Sequence, residues 1–131
     1  MAHIVGIGTD IIQIKRIAVT KKRFGEKFIK RIFTPYEQEC AQNLTPTIQE
    51  AFYAKRYAAK EAFVKALGCG ISALATWQEI EVIKDEKGAP SFRITGKTAQ
   101  TLYQKAKNPH IHLTLSDDAY ACAFVIIEDL D

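Results

Sequence analysis

Hydrophobic positions keep helical spacing through the first half of the chain and alternate through most of the second. Residues 4–7 form a short apolar run containing Gly6, with Gly8 just beyond, which predicts a strand. Thr9 and Asp10 are good helix N-cap residues, and Ile11, Ile12, Ile14 and Ile17 follow at mixed helical spacing. The economical reading is strand, turn, helix, with Asp10 at the join. Thr34-Pro35-Tyr36-Glu37 predicts a helix start, with Thr34 as cap, Pro35 as first helical residue and Glu37 closing a capping box. After a loop at 44–47, residues 48–67 hold neither Gly nor Pro and are rich in Ala, which predicts a long helix ended by Gly68-Cys69-Gly70.

Ile80 and Val82 then alternate with Glu79 and Glu81, as a half-buried strand does. A turn at 85–88 leads to a returning strand at 91–95. Residues 96–107 read as a helix stopped by Asn108-Pro109. Residues 110–115 and 120–128 read as strands of a hairpin. The sum is an α+β fold, expected as one domain over 1–131.

Charge adds what the pattern lacks. The net charge is only +3, yet residues 15–31 hold eight basic side chains and one acid, Glu26. That window is +7 and the remainder of the chain is −4. Such a segment attracts a polyanion (nucleic acid, anionic lipid or an acidic protein) unless it is merely a solvated helix face. No apolar run approaches bilayer length, and the N-terminus lacks the pattern of a secretory signal. Cys40, Cys69 and Cys122 are odd in number with no C-x-x-C pair, so three reduced, mostly buried thiols in a cytoplasmic protein are expected.

Several residues could carry chemistry. Asp10 is either a plain helix cap or a ligand for a hard cation beside glycine-permitted backbone. Glu61 and Lys65 are spaced for an ordinary helical ion pair. They also lie among small residues with Lys55, Arg56 and Lys60, a setting that suits a Mg²⁺–diphosphate site. His110 and His112 share a strand face, but no third His or Cys is near, so they are read as ordinary surface or core histidines. Gly6-Ile7-Gly8 lacks the third glycine of a dinucleotide fingerprint, and no phosphate-loop motif is present. Trp77 and the aromatics at 24, 28, 33, 36, 52, 53, 57 and 63 fit core stripes better than a base-stacking platform.

Taken together, Gly6-Ile7-Gly8-Thr9-Asp10-Ile11, the segment Arg31-Ile32-Phe33-Thr34-Pro35-Tyr36-Glu37, and Arg56-Tyr57-Ala58-Ala59-Lys60-Glu61-Ala62-Phe63-Val64-Lys65-Ala66-Leu67-Gly68 carry a family resemblance. So do Ile80-Glu81-Val82, Gly88-Ala89-Pro90 and the ending His112-Leu113-Thr114-Leu115-Ser116-Asp117. The chain resembles the small bacterial 4′-phosphopantetheinyl transferases of the holo-acyl-carrier-protein synthase family, over nearly its whole length. The resemblance implies an antiparallel sheet packed with a long central helix. It implies Mg²⁺-dependent transfer of the phosphopantetheine arm of coenzyme A to a serine of apo acyl carrier protein, in support of fatty acid biosynthesis.

By the same resemblance, Asp10 and Glu61 hold the metal. Glu61, or a metal-bound water it orients, helps remove the serine proton, and Lys65 stabilises the leaving phosphate. Arg56 and Lys60 contact phosphate, Arg56 being the better partner for the 3′-phosphate. The family forms a homotrimer with interfacial sites. Acyl carrier proteins are acidic, so Lys15, Arg16, Lys22 and Arg23, extended by Lys21, become the docking surface. Many relatives have Ser-x-Ser-His where this chain has Thr114-Leu115-Ser116-Asp117. Any role of that His therefore does not transfer, and Asp117 is expected to take metal or a bridging water instead. The rival readings are a nucleic-acid-binding module on the basic segment, though no RNA-binding signature is present, and a non-enzymatic adaptor docking an acidic helix there.

Overall fold

A computed structural model describes all residues, Met1–Asp131. The elements are β1 (His3–Gln13), α1 (Ile14–Phe24), α2 (Glu26–Ile32), α3 (Pro35–Ala41) and α4 (Pro46–Leu67), then, after a short 3₁₀ turn at Trp77–Glu79, β2 (Ile80–Lys84), β3 (Pro90–Ile94), α5 (Gly96–Lys105), β4 (Pro109–Asp117) and β5 (Tyr120–Asp129). The fold is α+β. A three-stranded antiparallel sheet in the order β1-β5-β4 packs its inner face on the long helix α4, and β2-β3 forms a separate hairpin.

Alternation on β5 builds that contact. Ala121, Ala123, Val125 and Ile127 are buried, and in β1 Gly8 and Ile12 turn inward with them. The opposite face carries Ile4, Ile7, Ile11 and Phe124, all of them exposed. α3 starts on the expected capping box: Glu37 N donates to Thr34 Oγ1, and Thr34 N donates to the Glu37 carboxylate. α4 begins at Pro46 and ends at Gly68, whose φ of 83° is open to glycine at little cost.

Three expectations are corrected. Asp10 does not cap a helix. β1 continues past it to Gln13, paired with β5 throughout, and α1 begins only at Ile14. The ladder hydrogen bonds of a long-range strand pair outweigh a local capping preference here. The basic stretch spans both α1 and α2, which Gly25 separates at φ 63°. The thiols are not mostly buried: Cys40 is exposed, and Cys69 and Cys122 are half-buried. Phe24 and Tyr36 are likewise exposed rather than part of a core stripe.

Candidate active site

β1 and α4 cross closely because the strand presents glycines. A Cβ on Gly6 would strike the carbonyl oxygen of Ala66, and one on Gly8 the carbonyl oxygen of Ala62, both well inside contact distance. The residues beside those two alanines are Glu61 and Lys65. Close approach of the two backbones therefore brings them to Asp10 on the strand. Lys65 Nζ donates to Asp10 Oδ1 at 3.1 Å and to the Thr9 carbonyl at 2.9 Å. Burial pushes the Glu61 carboxyl above its ordinary range, and the Asp10 charge pushes it further, against the pull of Lys65. The expected juxtaposition of Asp10, Glu61 and Lys65 is thus present, although the route through a helix cap was wrong.

This donor set fits a hard divalent cation that shares its ligands with a substrate. No cluster of three His, Cys, Asp or Glu exists to cage a metal with protein groups alone. Mg²⁺ characteristically takes one or two carboxylates and completes its shell with phosphate oxygens and water. A cation between Asp10 and Glu61 would also relieve the repulsion that raises Glu61. Tyr57, stacked on Trp77 at 5.3 Å, lies nearby. Its hydroxyl pKa is raised first by burial and then by the Glu61 and Asp10 charges, while Arg16 of α1 opposes them. Arg16 thus lies within electrostatic range of the Tyr57 hydroxyl.

Arg56 faces elsewhere. It is only 5% exposed, its guanidinium lies 3.8 Å over the Phe52 ring, and its Nε is buried with no hydrogen-bond partner. No carboxylate stands within ion-pair distance of it. It lines a cavity of about 870 Å³ together with Lys15, Lys55, Phe52, Lys84 and Cys40. An arginine buried without an anion pays a desolvation cost that a bound anion would repay, and burial lowers its pKa accordingly. Lys55, its neighbour on α4, pairs at 3.1 Å with Asp117 from the end of β4. Asp117 is thus paired with a lysine on the cavity wall.

Lys60 is a correction. Its side chain has no exposure, and its three donors are spent on the Glu37 carboxylate at 2.7 Å, the Ile32 carbonyl at 2.7 Å and the Trp77 carbonyl at 3.1 Å. It cannot reach a phosphate. Glu37, through its other oxygen, accepts Val82 N at 2.7 Å, so the pair ties α4 to α2, α3 and β2. Sequence reasoning missed this partnership. The capping box marked Glu37, but nothing in the pattern links it to a lysine 23 residues away.

On α1, Lys15, Arg16, Lys22 and Arg23 are all exposed while Ile17 is buried. At about 100° per residue they share one face with exposed Val19. Lys21 does not belong to it. Its ammonium turns inward, bonded to Gln49 and 5.7 Å from the Tyr53 ring.

A helix-and-antiparallel-sheet fold with an acid pair at a glycine crossing and an unpaired buried arginine in a cavity defines the class: a protein equipped to handle a phosphate-rich substrate. Comparison with known proteins is more specific. A profile of the 4′-phosphopantetheinyl transferase superfamily matches residues 6–125. The holo-[acyl-carrier-protein] synthase of Zymomonas mobilis is 47% identical over 130 residues, covering 95% of this chain and 96% of its own. The crystal structure of the synthase from Neisseria meningitidis superposes with a TM-score of 0.87 at 36% identity, over 95% of this chain and 98% of its own. That of Bacillus anthracis, in complex with coenzyme A (3′,5′-ADP), superposes with a TM-score of 0.79 at 35% identity, over 96% and 97%. The chain belongs to the holo-[acyl-carrier-protein] synthase family of 4′-phosphopantetheinyl transferases.

Proposed function

We propose that this chain, as a single domain over 1–131, is a Mg²⁺-dependent cytoplasmic transferase. It moves the phosphopantetheine arm of coenzyme A to a serine of apo acyl carrier protein, releases adenosine 3′,5′-bisphosphate and so supplies fatty acid biosynthesis. The observation that carries this is the convergence of Asp10, Glu61 and Lys65 at the β1–α4 crossing, within a chain whose relatives share that activity by name. No helix is long and apolar enough to cross a membrane.

The serine oxygen attacks the phosphorus that bears the pantetheine arm, and the bond to the adenosine bisphosphate breaks. Asp10 and Glu61 would hold the cation, and Mg²⁺ bound there would neutralise the diphosphate charge. Glu61, or a water that it orients, helps to remove the serine proton. Lys65, already at this site, offers its ammonium to the leaving phosphate. Arg56, with an unpaired fork in the cavity, takes the 3′-phosphate.

One chain does not present all of these groups together. Along α4, Glu61 and Lys65 lie about 140° and 180° around the helix axis from Arg56. A site using both faces draws Arg56 from one copy and the acid pair from another. The outer sheet face, with Ile4, Ile7, Ile11 and Phe124 exposed, offers the apolar surface on which copies associate. This supports a homotrimer with interfacial sites. The cationic face of α1 suits the acidic carrier, and α1 follows directly on β1, the strand that carries Asp10. The test is direct: incubation with apo carrier protein, coenzyme A and Mg²⁺, followed by intact mass. A gain of one phosphopantetheine arm is expected. Binding of carrier or nucleic acid without any mass gain favours the adaptor or nucleic-acid reading.

A further inference from the structure

Cys40 is an exposed thiol on α3 that lines the same cavity as Arg56. The two are close enough for the thiol to act electrostatically on the guanidinium. Arg56 is more than nine-tenths buried, carries a buried Nε with no partner and opens onto the cavity, whose wall also carries Lys15, Lys55 and Lys84 against Glu50, Asp117 and Asp118, so the cavity is net positive with Arg56 unpaired. Cys69 and Cys122 do not line this cavity. We propose that Cys40 is a modification site for small disulfides with an anionic arm, and that the mixed disulfide closes the cavity to nucleotide. The proposal rests on the coenzyme reading of the cavity and adds regulation of that site.

The chemistry needs only the disulfide as oxidant. The Cys40 thiol loses its proton to solvent, and the thiolate attacks one sulfur of R–S–S–R. The S–S bond breaks, a Cys40–S–S–R bond forms, and R–S⁻ leaves to take up a proton. An anionic R group is drawn to Arg56 before attack and paired with it afterwards. A cationic R group is repelled. One unpaired charge at close range speeds an anionic arm about fivefold and slows a cationic arm by a like factor, a ratio of about 25, and added salt should shrink it where the cavity is open to solvent.

The experiment compares dithiodiglycolate, with a carboxylate on each arm, and cystamine, with an ammonium on each arm. Each rate is normalised to that with mercaptoethanol, and the modified residue is located by peptide mass. Expected are modification of Cys40 first, an anionic preference of about 25-fold that falls with salt and shrinks in Arg56→Met, and protection by adenosine 3′,5′-bisphosphate. The modified chain should lose binding of that nucleotide in calorimetry and regain it after dithiothreitol. Prior modification of Cys69 or Cys122, or equal normalised rates for the two reagents at Cys40 in the unmutated chain, overturns the proposal. Calorimetry on the unmodified chain separates the two claims. Nucleotide binding with no charge preference at Cys40 sinks only this inference, whereas no nucleotide binding at all sinks the coenzyme reading beneath it.

Discussion

Replacing Lys60 by Met removes the ammonium that three elements share. The side chain has no solvent exposure, and its loss leaves the Glu37 carboxylate, also without exposure, facing only backbone donors from Thr34 and Val82. It also strips the Ile32 and Trp77 carbonyls of a donor. Breaking a buried ion pair from one side costs about 3–5 kcal/mol, because a desolvated charge loses its partner. Against a total of about 5–15 kcal/mol that is a large fraction. At roughly 4 °C per kcal/mol the melting temperature should fall by about 12–20 °C. The urea midpoint should fall in proportion with an unchanged slope. Adding Glu37→Gln to Lys60→Met should recover much of the loss, since the stranded charge is then gone. In the fraction that stays folded, the KM for coenzyme A should be close to that of the unmutated chain. A Lys60→Met chain with normal stability but a greatly raised coenzyme KM would refute this reasoning and restore Lys60 as a phosphate contact.

Gly8→Ala should force α4 off β1, because the new methyl meets the Ala62 backbone. About 1–3 kcal/mol of stability should go by thermal denaturation, and turnover should drop on the order of 100-fold as Asp10 and Glu61 separate. Glu61→Gln should stabilise the metal-free protein at neutral pH while abolishing most activity. With its folded pKa raised above the unfolded value, Glu61 binds protons more readily in the native state, so native stability declines as pH rises through that window. The variant should lose this decline in urea titrations at several pH values, and an unchanged slope would contradict the assignment. Arg16→Glu should raise the carrier KM far more than the coenzyme KM, and the carrier KM of the unmutated chain should rise with salt. Identical kinetics at low and high salt would leave the α1 face without a partner.

What could be seen in the sequence was largely local. The capping box at Thr34, the glycine stop of α4 and the turn into β5 are each written in a few adjacent residues, and each stands in the structure, whereas α4 starts at Pro46, inside the stretch read as a loop. Lys65 and Glu61 were visible as a helical pair and Asp10 as a possible cation ligand, and the family resemblance joined the three. What stayed hidden depends on distant partners. Asp10 looked like a cap because β5, which holds it in a strand, lies more than 100 residues later. Lys55 and Asp117 meet only once the hairpin of β4 and β5 folds beside α4. Lys60 and Arg56 are one turn apart and look alike in sequence, yet one is saturated and the other unpartnered. No periodicity distinguishes them, because the difference lies in the carbonyls and the carboxylate that neighbouring elements bring.

The central claim is that the acid pair at the β1–α4 crossing carries the transfer. The most direct measurement is the rate at which intact apo carrier gains a phosphopantetheine arm, at saturating coenzyme A and Mg²⁺, for the unmutated chain, Asp10→Ala and Glu61→Ala, each checked as folded. The account predicts full conversion by the unmutated chain and rates lower on the order of 100-fold or more in both variants, the scale of losing a principal electrostatic stabiliser. Near-normal rates in both folded variants would contradict it.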